Sequence, residues 1–102
     1  MMNRMLLTAL IVGSVGLAGT AQAAGDAAAG KAKATACAMC HGPDGAGTQM
    51  APKLAAEDSA KFIQALNDYK SGKKDNAMMK MQSTPLSADD MANLAAYYAG
   101  LK

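Results

Sequence analysis

The chain has 102 residues, including nine methionines, two cysteines, one histidine, one phenylalanine and no tryptophan. It has ten basic and eight acidic residues, and this near-balance of charge argues against nucleic acid as a partner. A chain of this length forms one domain. Because this domain has few large aromatic side chains, its apolar core needs additional stabilisation from a covalent link or a bound metal group.

Residues 1–23 have the pattern of a secretory signal peptide. Arg4 supplies the positive charge, residues 5–17 are largely apolar, and Ala21-Gln22-Ala23 is a small-residue cleavage site. The apolar run is shorter than the roughly 20 residues of a membrane span. We therefore expect cleavage after Ala23, export to the periplasm, and no stable membrane insertion of the remaining domain, residues 24–102.

The first predicted helix runs from Ala24 to Cys40. Asp26 suits the N-cap position, and the alanines after it favour a helix. Gly30 interrupts this run at a cost of about 1 kcal/mol relative to Ala, which indicates the close approach of another helix at that point.

This helix ends in Cys37-Ala38-Met39-Cys40-His41, a spacing typical of c-type haem attachment. Two intervening residues set the thiols at the separation of two haem vinyl groups, and the next residue places an imidazole under the iron as proximal ligand. A redox dithiol would need a βαβ context, and a zinc site would need a fourth suitable ligand. A plain disulfide leaves His41 unexplained. We predict one haem c, held covalently by Cys37 and Cys40 and ligated by His41.

The rest of the chain predicts a loop and two further helices. Turn residues mark residues 42–52 as a loop. A second helix runs from Asp58 or Ser59 to about Ser71 and ends at Gly72. Its apolar face contains Phe62, Ala65, Leu66 and Tyr69.

The segment between this helix and Pro85 carries no clear helix or strand signal. After Pro85, Ser87 and Asp90 resemble a capping box that opens the last helix. The inner face of the last helix is predicted to contain Met91, Leu94, Ala95 and Tyr98.

The sixth iron ligand of a c-type electron carrier is a Met sulfur or a second His, and this chain has no second His. Met39 lies inside the haem motif, Met50 is expected to pack in the loop that follows, and Met91 belongs to the core face of the last helix. The residues alone leave three candidates open, Met78, Met79 and Met81.

The haem motif, Gly30, the glycine-rich loop and the segment 86–98 together make the chain similar to the small bacterial class I cytochromes c, especially the cytochrome c-553-like branch. The resemblance covers residues 24–102. It implies an all-α fold, with three to four short helices wrapped around one covalent haem c. It also implies that the first and last helices cross where Gly30 meets Tyr97 or Tyr98.

The same resemblance implies two further site residues. In that family the distal ligand lies eight residues before the residue that opens the last helix, which is Ser87 here, and this selects Met79. Pro52 matches the proline whose carbonyl accepts the second ring N–H of the ligand His. Such a bond orients the imidazole and raises its basicity.

The function implied is that of a soluble, monomeric periplasmic electron carrier with a His/Met-ligated haem, not of an enzyme. Its partners would be redox proteins: dehydrogenases or membrane cytochromes as donors, and terminal oxidases or reductases as acceptors. Two alternatives stay open. One is a haem subunit of a larger oxidoreductase complex, and the other is a haem with an open sixth site for gas binding or catalysis.

Overall fold

The structure is a computed structural model that describes residues 25–101, and these residues form helices and no strand. This confirms the predicted all-α fold. Within the described residues, no helix is long and apolar enough to cross a membrane. The expected signal peptide, residues 1–23, lies outside the described residues. The helices are α1 (Ala27–Lys33), α2 (Thr35–His41), α3 (Ser59–Ser71), α4 (Ala77–Ser83) and α5 (Ala88–Ala99).

Five helices replace the expected three to four for two reasons. The first predicted helix divides at Ala34, where the helix tightens because the Ala34 N–H is shared between the carbonyls of Gly30 and Lys31. In addition, α4 occupies a segment that showed no clear signal. Its N-cap is Asn76, whose side chain accepts a hydrogen bond from the N–H of Met79 at 3.0 Å.

The N-terminal helix α1 crosses α5 at very short range. A Cβ atom on Gly30 would overlap the backbone carbonyl of Asn93 and would lie 2.9 Å from the Cβ of Tyr97. Next to the crossing, the Asp26 N–H donates to the side-chain oxygen of Asn93 at 2.8 Å. The close approach predicted at Gly30 is therefore confirmed, and Tyr97 rather than Tyr98 is the aromatic residue that meets it.

The core lies between α3 and the inner face of α5. The capping box of Ser87 and Asp90 is complete, so it fixes the start of α5 and the direction of its apolar face. Tyr98 is fully buried, and its ring centroid lies 5.5 Å from that of Phe62 on α3. The predicted inner face is confirmed, since all four of its members are buried: Met91, Leu94, Ala95 and Tyr98.

A candidate haem site

Helix α2 brings the three residues of the attachment motif to one place. Cys37, Cys40 and His41 are related by three and four residues, so they share one face of the helix. The two thiols are partly buried and are not joined to each other by a disulfide. His41 is only 6% exposed, so its imidazole is held inside the protein.

The loop after α2 folds back and places a carbonyl against the His41 ring. The N–H of Gly47 donates to the His41 carbonyl at 2.8 Å, and the Thr48 hydroxyl donates to the Cys40 carbonyl. These bonds close the loop so that the Pro52 carbonyl oxygen lies 2.6 Å from His41 Nδ1. A carbonyl can only accept, so Nδ1 carries the proton and Nε2 keeps a free lone pair for a metal.

The loop also rests on α5 through a glycine. Gly45 has a φ of 67°, and a Cβ there would lie 2.7 Å from the ring of Tyr98. Its carbonyl accepts from the N–H groups of Leu54 and Ala55 at 2.8 and 2.9 Å. A side chain at this position would be both strained and obstructed, so Gly45 keeps the loop close to the core.

The three methionines of helix α4 differ in how far their side chains are buried. Met79 is partly buried and packs against the hydrophobic core, whereas Met78 and Met81 are 58% and 65% exposed. Two methionines outside α4 behave differently from each other: Met91 is buried as expected, but Met50 is 73% exposed and is not packed in the core. The expectation that Met50 packs in the loop is not met, since its side chain is largely exposed and lines the cavity described below.

A cavity of about 350 Å³ lies between α2, the loop, α3 and α4. Cys37, Cys40, His41 and Met79 all line it. An adjoining cavity of about 250 Å³ shares Cys37 and Met79 with the first. Most of the remaining lining of the larger cavity is apolar, notably Leu54, Phe62, Leu66 and Leu94, and it also includes polar side chains such as Lys53 and Gln82.

The thiol of Cys37 lies in an apolar setting beside Tyr98. Burial raises its pKa above the usual value, and a hydrogen bond with the Tyr98 side chain partly offsets that rise. Burial likewise raises the pKa of the Tyr98 phenol, and the neighbouring Cys37 adds to the effect. At neutral pH both groups are therefore protonated and uncharged, which suits the wall of a cavity for a large apolar ligand.

The structure brings every residue proposed for the site from sequence to this one cavity: Cys37, Cys40, His41, Pro52 and Met79 all line it. Sequence reasoning missed the supporting residues. The contact of Tyr98 with Cys37 had no local signal. Thr48 is an ordinary loop residue in the sequence, and its bond to Cys40 depends on how the loop closes.

These features define a c-type haem-binding domain. The cytochrome c family model matches residues 27–102, and the chain belongs to the cytochrome c family. It is 43% identical to a cytochrome c4 of Pseudomonas aeruginosa over 99% of this chain, but it spans only 50% of the length of that relative. It is 44% identical to a cytochrome c-554(547) of Halothiobacillus neapolitanus, over 78% of this chain and 100% of that protein. A solved thiosulfate dehydrogenase from Marichromatium purpuratum superposes with a TM-score of 0.72 at 32% identity, over 76% of this chain and 20% of that chain.

The cofactor of this domain is one haem c, bound covalently through Cys37 and Cys40. The residues present fit that group in three respects. Both cysteines line one cavity, its walls are mainly apolar, and the same cavity is lined by an imidazole whose Nε2 is free for iron and by a thioether side chain. Iron in c-type electron carriers takes this His and Met donor set.

Proposed function

We propose that this domain carries single electrons between redox proteins, with His41 and Met79 as the two axial ligands of its haem iron. The observation that carries the proposal is that His41 and Met79 line the same cavity as both attachment cysteines. When bound, the haem supplies a one-electron couple between Fe(III) and Fe(II). With His41 and Met79 both bound to the iron, the protein would leave no position on the metal for a substrate, so we propose an electron carrier rather than an enzyme.

On the proximal side, the protein fixes the imidazole before iron is bound. The 2.6 Å bond from His41 Nδ1 to the Pro52 carbonyl selects the tautomer and restricts rotation of the ring. The bonds of Gly47 and Thr48 to the motif backbone hold Pro52 in place. A ring held in this way keeps one orientation in both oxidation states, which lowers the reorganisation that accompanies each electron transfer.

On the distal side, two observations support Met79 over its neighbours. It is the least exposed of the three candidates, and it lines both cavities. Met81 lines neither cavity. Met78 lines one of them, but more than half of its side chain is exposed. A thioether ligand favours the reduced iron and raises the potential relative to a second imidazole.

We further propose that the protein acts in the bacterial periplasm after cleavage behind Ala23. The sequence pattern of residues 1–23 supports this proposal. Redox partner proteins follow from the family. The 36% identity to a thiosulfate dehydrogenase electron acceptor of Thiomonas intermedia, over 74% of this chain, supports a dehydrogenase as the electron donor. The partners would dock through a small, transient interface of the kind that redox complexes use.

The proposal is tested on holoprotein expressed with a c-type maturation system. Intact mass is expected to equal that of residues 24–102 plus one haem. A redox titration is expected to follow a one-electron curve, and the reduced protein is expected not to bind carbon monoxide. Rapid binding of carbon monoxide by the wild-type protein would show an open sixth site and would refute the carrier mechanism. A mass that retains residues 1–23 would refute the cleavage alone.

A further inference from the structure

Ser83, the last residue of α4, has a hydroxyl group without a partner. The residue is fully buried, and among the described residues its Oγ is the buried side-chain polar atom that makes no hydrogen bond. The adjacent hydroxyl of Thr84 is exposed and donates to the Lys80 carbonyl at 2.6 Å. Burial of an unpaired hydroxyl is unfavourable. Ser83 itself lines neither cavity, so any partner at the haem site has to be a neighbouring residue that does.

The position of Ser83 on the helix identifies that partner. Ser83 follows Met79 by four residues, so the two side chains lie on the same face of α4, and helical side chains lean toward the N-terminus. This face is the inner one, because Met78 and Met81 on the other face are exposed. The Ser83 side chain therefore lies over the turn that carries Met79.

The Ser83 hydroxyl has no backbone partner in this structure. The bond that Thr84 makes, back to the carbonyl four residues earlier, is one that Ser83 does not make. A methionine sulfur is a weak acceptor, and the flexible thioether side chain can turn its sulfur toward a donor.

We propose that the Ser83 hydroxyl donates a hydrogen bond to the sulfur of Met79 in the haem-loaded protein and so acts as a positioning residue for the distal ligand. This inference rests on the proposed role of Met79. A hydrogen bond to the sulfur holds its lone pair in one direction and withdraws electron density from it. The first effect slows loss of the ligand, and the second favours reduced iron and raises the potential.

The test compares holoprotein carrying Ser83→Ala, Ser83→Cys and the control Thr84→Ala with the wild type. Midpoint potential, the near-infrared Met-to-Fe(III) band and the rate at which imidazole displaces the ligand are measured. Ser83→Ala is expected to lower the potential, shift the band and accelerate displacement several-fold. Ser83→Cys keeps a weaker donor of similar size and is expected to be intermediate. Thr84→Ala is expected to match the wild type in all three, because its hydroxyl bonds a backbone carbonyl.

The results separate this inference from the proposed function. If the wild type and all variants show the band, with the same potential and displacement rate, Met79 remains the ligand and the role of Ser83 is refuted. If the wild type itself lacks the band, the axial pair is wrong and both proposals fail. A Ser83→Ala protein that is more thermostable than the wild type at unchanged potential would show that the hydroxyl stays unpaired. If Ser83→Ala does not fold, the comparison of Ser83→Cys with the wild type decides by the same readouts.

Discussion

Replacement of Gly30 by Ala tests the close crossing of α1 and α5, because the crossing decides whether the substitution lowers or raises the stability of the protein. On helix propensity alone, Ala is expected to stabilise α1 by about 1 kcal/mol. Against this, the new Cβ would overlap the Asn93 carbonyl and approach the Tyr97 Cβ to 2.9 Å. Overpacking of this kind costs about 1–3 kcal/mol. We expect the upper half of that range, since a backbone carbonyl cannot rotate away as a side chain can.

The net expectation for Gly30→Ala is a loss of about 1–2 kcal/mol, equivalent to a fall in Tm of about 4–16 °C for a domain of this size. Gly30→Val is expected to lose more. Thermal unfolding of the holoprotein, followed by circular dichroism, measures both. Ala29→Gly is the matched control: this exposed neighbour on α1 is expected to lose about 1 kcal/mol through propensity alone. A rise in Tm for Gly30→Ala would refute the close crossing.

Two further predictions concern helix termini. Asn76→Ala removes the cap of α4 and is expected to cost about 1 kcal/mol; hydrogen exchange should accelerate in α4 but not in α3, and equal acceleration in both would contradict a local effect. Asp90→Asn keeps an oxygen that can accept from the Ser87 N–H but removes the negative charge that this N–H, at 3.0 Å, and Lys33, at 3.6 Å, stabilise; these interactions lower the Asp90 pKa. Because the folded-state pKa is depressed, this stabilisation is complete above the usual Asp pKa and is lost as pH falls through the lowered value. The wild type should therefore have the higher Tm near neutral pH, and the two curves should converge in acid; a gap that persists at the lowest pH would contradict the charge-based explanation.

Much of the site was predictable because its signals are local. The haem motif is five consecutive residues, so the sequence alone places its three side chains on one face of α2. The capping box of Ser87 and Asp90 is equally local, and it fixes the inner face of α5. Gly30 was informative for the opposite reason: a glycine that weakens a helix needs a tertiary contact to explain it, and Asn93 supplies that contact.

The distal side was less predictable, because its signals depend on packing. Helix α4 contains three methionines without a helical apolar period, so periodicity could not reveal it. Its N-cap Asn76 and its run of good helix formers were the available signals. The burial of Ser83 depends on how α4 packs, and no local pattern distinguishes it from the exposed Thr84 beside it.

The central claim is that His41 and Met79 are the axial pair, and removal of the Met79 sulfur tests it most directly. Met79→Ala should retain covalent haem, because Cys37, Cys40 and His41 are unchanged. It should also lose the near-infrared Met-to-Fe(III) band, lower the potential and bind carbon monoxide when reduced. Met81→Ala, the control on the exposed face of the same helix, should keep the band and exclude carbon monoxide. A band that survives Met79→Ala but disappears in Met81→Ala would contradict the assignment.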